Sequence, residues 1–155
     1  MAYWLRYNLN MKRLLFLGAD HAGFPLKVRI SEELKRRKIT VEDLSPKFVD
    51  GDDYPRIGTK VAKRVAASKD KALGILVCGS GVGMVIAANR VKGARASVGH
   101  DAREVTRARE DDHANILALS GWKTSLPMAM GMITAFLKAS PSKAKRHVRR
   151  VRELG

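Results

Sequence analysis

"ALGILVCGSGVGMVIAANR", Ala72 to Arg90, joins seven strand-forming residues to a glycine-rich turn and then to an apolar helix-forming run. A continuous apolar run of this length fits a strand buried on both faces of a parallel sheet. The order strand, glycine turn, helix is one repeat of an α/β fold. The chain's only cysteine, Cys78, ends the strand.

The same alternation extends in both directions. "RLLFLGA" reads as a first strand, and Pro25 then sits where a first helical turn tolerates it. That helix runs to about Arg37, with Leu26, Ile30 and Leu34 four apart. "KITVEDL" is a second strand, and "DDYPRIGTKVAKRVAAS" puts Ile57, Val61 and Val65 on one helical face. After the central unit come "ARASVG" as a fourth strand, the charged helix "DAREVTRARED" and the strand "ANILALS". The apolar helix "LPMAMGMITAFLKA" turns its methionines to the core or to a subunit interface. A basic helix follows Pro141. Five strands alternating with helices predict a doubly wound, mostly parallel sheet. Residues 11–155 are expected to form one domain, with 1–10 an N-terminal extension or mobile arm.

Composition narrows the classes of function. The chain has 155 residues, 45% hydrophobic and 6% aromatic, which suits a globular α/β protein. A single cysteine makes no internal disulfide, so a reducing cytoplasm is the expected compartment. No apolar run approaches the roughly 20 residues a bilayer requires. The formal charge of +15 fits a polyanion partner. No aromatic stripe interleaves the basic residues to stack bases, so nucleic acid is the weaker reading.

Ligands of such folds collect at the carboxyl ends of strands, and three clusters are expected there. They are Asp20 and His21 of "GADHAG", the turn "CGSGVG", and Asp111, Asp112 and His113 of "REDDHAN". Gly79, Gly81 and Gly83 follow G-x-G-x-G, neither the dinucleotide spacing nor a P-loop. Alone, the turn reads equally as a tight bend or as an anion cradle. Cys78 is an inert buried thiol or, beside a helix N-terminus that lowers its pKa, a source of thiolate. Arg146 and Arg150 of "AKRHVRRV" lie four apart and share a helical face that can pinch a phosphate.

Taken together, "GADHAGFPLK", "DDYP", "GILVCGSGVGMVIAANRVKGARA", "HANILAL" and "RHVRRV" resemble the type B ribose-5-phosphate isomerases and their galactose- and allose-6-phosphate isomerase relatives. The resemblance spans about Leu14 to Val151. It implies a Rossmann-like three-layer α/β/α domain that works as a homodimer, or as a tetramer of such dimers, without a metal or other cofactor. The active site would be shared between subunits, with a phosphorylated sugar as substrate. Cys78 would be the base that moves a proton between two sugar carbons. Gly79, Ser80, Gly81, Val82 and Gly83 would hold the enediolate, Asp20, His21 and Tyr54 would line the pocket, and Arg146 and Arg150 would bind the phosphate.

Two positions depart from that pattern. Asp111 stands where the family carries a ring-opening histidine, and Asp112 where it carries asparagine. A carboxylate serves as that acid only if burial or its neighbour raises its pKa. His113 lies about 200° around a helix from Asp111 and is expected to be a helix-end or inter-subunit residue instead. Trp122 stands where relatives often carry a phosphate-binding arginine, and the adjacent Lys123 is expected to point away.

Overall fold

A computed structural model describes residues 14–155, so the arm expected over 1–10 lies outside the described residues. The chain runs β1 (Leu14–Ala19), α1 (Phe24–Arg36), β2 (Val41–Asp43), α2 (Tyr54–Ala67), β3 (Ala72–Cys78), α3 (Val82–Asn89), β4 (Ala96–Val98), α4 (Ala102–Asp111), β5 (Ile116–Ser120), α5 (Leu126–Lys138) and α6 (Lys145–Glu153). Every residue of β3 is buried, as its unbroken apolar run requires. β2 and β4 are only three residues long, shorter than their sequence patterns suggested. Both are edge strands with half-buried residues, so each has one neighbour to pair with.

The sheet order is β2-β1-β3-β5-β4, and every pairing is parallel. From β1 the chain steps outward to β2, then crosses back to β3 on the other side of β1. Because crossovers between parallel strands are right-handed, this reversal must put α1 and α2 on opposite faces. The two cores show that it does. Leu26, Ile30 and Leu34 of α1 pack with Val105 of α4 and with Ile133 and Phe136 of α5 on one face. Val61, Ala62 and Val65 of α2 pack with Met84 and Ala88 of α3 on the other. The result is the expected three-layer α/β/α arrangement. Met130 and Met132 of α5 are buried in the first core, whereas Met128 is exposed.

Local chemistry sets the helix starts. The Asp101 side chain caps α4 by accepting from the backbone N–H groups of Arg103 and Glu104, at 2.7 and 2.9 Å. Ser125 caps α5 in the same way, accepting from Met128 N–H. Lys27 of α1 is buried under the β1–β2 edge, where its Nζ donates to Asp43 Oδ2 at 2.7 Å and to the Ser45 carbonyl at 2.8 Å. A buried ammonium needs such partners to offset its desolvation. Among the described residues no helix is long and apolar enough to cross a membrane.

Candidate active site

The reversal of strand order leaves a crevice between the carboxyl ends of β1 and β3, where doubly wound folds bind ligands. Asp20 and His21 leave β1 on one side of it, and Cys78 ends β3 on the other. The Asp20 amide still reaches the Val77 carbonyl at 3.3 Å, so the two strand ends stay laced together past the sheet.

Cys78 is 4% exposed and faces the α2–α3 layer. Its Sγ accepts the Gly81 N–H at 3.1 Å. Burial pushes the thiol above its ordinary pKa; backbone N–H groups of Met84, Gly81 and Ser80 pull it down, and nearby Asp20 pushes it up again. The net direction is upward, which corrects the expectation that the helix N-terminus leaves a low-pKa thiol. Removing the sulfur from water costs the thiolate more than the converging amides return.

The turn's glycines have steric reasons besides anion binding. Gly81 caps α3 at φ +87°, a left-handed conformation that favours glycine. A Cβ on Gly79 would sit 2.4 Å from Trp122 Cζ2, and one on Gly83 would sit 2.6 Å from Tyr54 Cε2. Two aromatic rings therefore lie directly on the turn. Ser80 is exposed, and its Oγ accepts the Val82 N–H at 3.2 Å. Val82 is half-exposed at the start of α3.

Asp20 is buried, and its Oδ1 accepts the Gly23 N–H at 2.9 Å. Burial raises its pKa, with the Gly23 N–H opposing. His21 is held by a residue that sequence reasoning passed over. Asp52 Oδ1 accepts the His21 backbone N–H at 2.6 Å and lies 3.3 Å from its Nδ1. That side-chain hydrogen bond raises the imidazole pKa, favouring its cation. The expected result for Asp52→Asn is a His21 pKa that falls back toward about 6.5 in an NMR titration. An unchanged value would remove Asp52 from this role. Asp52 belongs to "DDYP", but nothing local in that motif announces a partner 31 residues away.

The segment after β5, where Trp122 was already singled out, is bonded directly to the glycine turn. Gly121 N–H donates to the Cys78 carbonyl at 2.7 Å, Trp122 N–H donates to Gly79 O at 3.2 Å, and Ser120 Oγ donates to Gly79 O at 2.7 Å. These bonds suspend the Trp122 indole, 73% exposed, over the turn. Lys123 is exposed, and its backbone N–H donates to Ser120 Oγ at 3.2 Å.

Asp111, Asp112 and His113 are not at the carboxyl ends of the strands, contrary to the sequence reading. α4 runs back along the sheet and ends at Asp111, just before β5 begins. Its end lies beside the amino end of β5, where Ile116 pairs with Gly74, while Cys78 pairs with Ser120 at the far end. The intervening strand is about 13 Å long at the usual rise. The Asp111 side chain is 47% exposed in the single chain. Asp112 is the exposed residue that ends α4.

His113 has a left-handed φ of 53°, and its Nε2 lies 3.0 Å from the Ser142 carbonyl. It pins the segment before α6, which agrees with its reading as a helix-end residue. Arg146 and Arg150 are both exposed on α6, and the α6 residue His147 contacts the end of α4. The candidate residues therefore fall into two separate groups in one chain: Cys78, the turn, Asp20, His21 and Tyr54 at one end of the sheet, and Asp111, Asp112 and the α6 arginines Arg146 and Arg150 apart from them.

Comparison with known proteins places this arrangement. A model described as Ribose/Galactose Isomerase matches residues 15–154. The chain is 41% identical to the probable ribose-5-phosphate isomerase B of Mycoplasma genitalium over 138 residues, 88% of this chain and 90% of that one. It is 38% identical to ribose-5-phosphate isomerase B of Mycobacterium tuberculosis over 88% of this chain and 85% of that one. A crystal structure of the Mycoplasma genitalium isomerase with bound ribulose-5-phosphate superposes with a TM-score of 0.86 at 40% identity, covering 93% of this chain and 95% of that one. The fold and these likenesses define an enzyme of the aldose–ketose isomerase class. Within that class the chain belongs to the ribose/galactose isomerase family.

Proposed function

We propose that this enzyme interconverts ribose 5-phosphate and ribulose 5-phosphate in the cytoplasm, with Cys78 as the base. The observation that carries the reading is the buried Cys78 sulfur beneath converging amides, with Asp20 and His21 across the crevice. In the thiolate form, Sγ takes the proton from the sugar's C2, and the electron pair moves toward the carbonyl oxygen at C1. The resulting enediolate regains that proton at C1, while a hydroxyl proton passes between O1 and O2. Atoms balance with no external oxidant or reductant. The Ser80 hydroxyl, with the turn N–H groups not engaged by Cys78 Sγ or Ser80 Oγ, holds the oxyanion, the group that most needs stabilising. The raised thiol pKa makes a stronger base at a lower thiolate fraction.

The second group of residues supplies the rest. Arg146 and Arg150, four apart on α6, grip the phosphate in concert with His21. Asp111 donates the proton that opens the sugar ring, and Asp112 binds beside it. Since these groups lie at the other end of the sheet from Cys78, we propose that the working unit is a homodimer. A second copy brings its Asp111 and α6 to the first copy's thiol. That contact also supplies the burial that Asp111 lacks in a single chain. The outward faces of Val82 and Ile86 on α3, 51% and 60% exposed, are the apolar surface such a partner would cover.

Trp122 supports a second reading, an isomerase for a six-carbon aldose phosphate. An exposed indole, at a position where the family pattern often has arginine, puts a flat apolar surface at the mouth of the site. The test is turnover by the purified enzyme of ribose 5-phosphate beside a panel of aldose 6-phosphates. The first reading expects ribose 5-phosphate to give the highest kcat/KM. Preference for a six-carbon substrate favours the second, and inactivity on every aldose phosphate overturns both.

A further inference from the structure

His147 is the buried polar residue of α6, 7% exposed, and no role has yet been given to it. Its ring lies between two residues of the second group. Nδ1 is 3.1 Å from the Asp111 carbonyl oxygen and 3.6 Å from Asp111 Oδ1. On the other side, Arg146 Nε donates to His147 Nε2 at 3.0 Å. A guanidinium has donors only, so Nε2 must present its lone pair. Nδ1 then faces Asp111 as the donor. These contacts hold the ring at both ends.

The consequence for Arg146 is geometric. It is an exposed side chain that would otherwise sample many rotamers, each to be given up when a ligand binds. With Nε engaged by His147, the two terminal amino groups remain free of that bond and form the edge that meets a phosphate bidentately. The same ring ties that edge to the end of α4. The Ser142 N–H adds a second tie between the two segments by donating to the Glu110 carbonyl at 2.9 Å.

We infer that His147 is a positioning residue that sets the Arg146 guanidinium and the Asp111 segment as one preorganised unit for the phosphorylated substrate. The inference rests on the reading of Arg146 as a phosphate ligand. Two substitutions separate the two ends of the ring. In His147→Asn, the amide nitrogen replaces Nδ1 and keeps the Asp111 contact, but nothing accepts from Arg146. In His147→Gln, the amide oxygen reaches the place of Nε2 and still accepts from Arg146.

Steady-state kinetics on ribose 5-phosphate, with folding checked by circular dichroism, is the experiment. His147→Asn is expected to raise KM about 5- to 10-fold, the cost of re-ordering one long side chain. Its kcat should stay within about 2-fold of wild type, as for lost uniform binding. His147→Gln should keep KM near the wild-type value. Arg146→Ala is the reference and should raise KM about 100-fold through loss of a charge-assisted pair. Equal damage from Asn and Gln, or a fall in kcat with KM unchanged, overturns the positioning role. So does an unchanged KM in His147→Asn beside a raised one in Arg146→Ala. An unchanged KM in Arg146→Ala itself overturns the phosphate-ligand reading beneath it.

Discussion

Replacing Cys78 with alanine is expected to lower kcat/KM for ribose 5-phosphate by about 100- to 10,000-fold, the usual contribution of a positioned general base. The fold should survive. Cys78 is buried in the α2–α3 core, so its removal leaves a cavity of only one sulfur, and its backbone bond from Gly121 needs no side chain. The pH dependence gives an independent check. Burial raises the thiol pKa, so the thiolate fraction in the free enzyme should still be climbing above the ordinary thiol value of about 8.5. kcat/KM should therefore rise with pH through that region. A plateau already reached at pH 7, or an alanine variant as active as wild type, would falsify the assignment of Cys78 as base.

Substituting alanine for Gly23 should cost the fold about 3 kcal/mol, the upper part of the range for overpacking. An added Cβ would lie 2.2 Å from the Val77 carbonyl oxygen and 2.8 Å from the Cys78 nitrogen. Both are backbone atoms at the end of the central strand, and neither can swing aside as a side chain would. Relief requires the start of α1 to move away from β3. That motion widens the crevice and breaks the Gly23 N–H bond to Asp20 Oδ1. Turnover should fall together with the urea midpoint. Gly131, on α5 with open space where a Cβ would go, is the control. There alanine should stabilise by about 0.5–1 kcal/mol through helix propensity. If the two substitutions gave the same midpoint, packing of Gly23 on β3 would not be what the glycine is for.

Much of this architecture was readable along the chain. β3 occupies the seven residues whose unbroken hydrophobicity marked it, and the helix periodicities of α1 and α2 point to the residues that fill the two cores. Periodicity is a local property, so it survives being read in one dimension. The sheet order was not readable. That β5 lies between β3 and β4 depends on which crossover packs best, a comparison between distant segments. "REDDHAN" shows the same limit. The residues were marked as chemical, yet their end of the sheet depends on the direction of α4, and the sequence reading put them at the wrong one.

Residue types and their local settings come from the sequence alone: a thiol ending a buried strand, a glycine turn opening a helix, two arginines one helical turn apart. Tertiary structure alone decided what those groups experience. Asp52 comes to His21, Trp122 settles on Gly79, and His147 joins Asp111 to Arg146, each through contacts between segments far apart in the chain. For Cys78 the two levels point in opposite directions. The helix N-terminus that would lower its pKa is three residues away and visible in the sequence. The burial that outweighs it belongs to the surrounding layers, because desolvation depends on everything that displaces water from the sulfur.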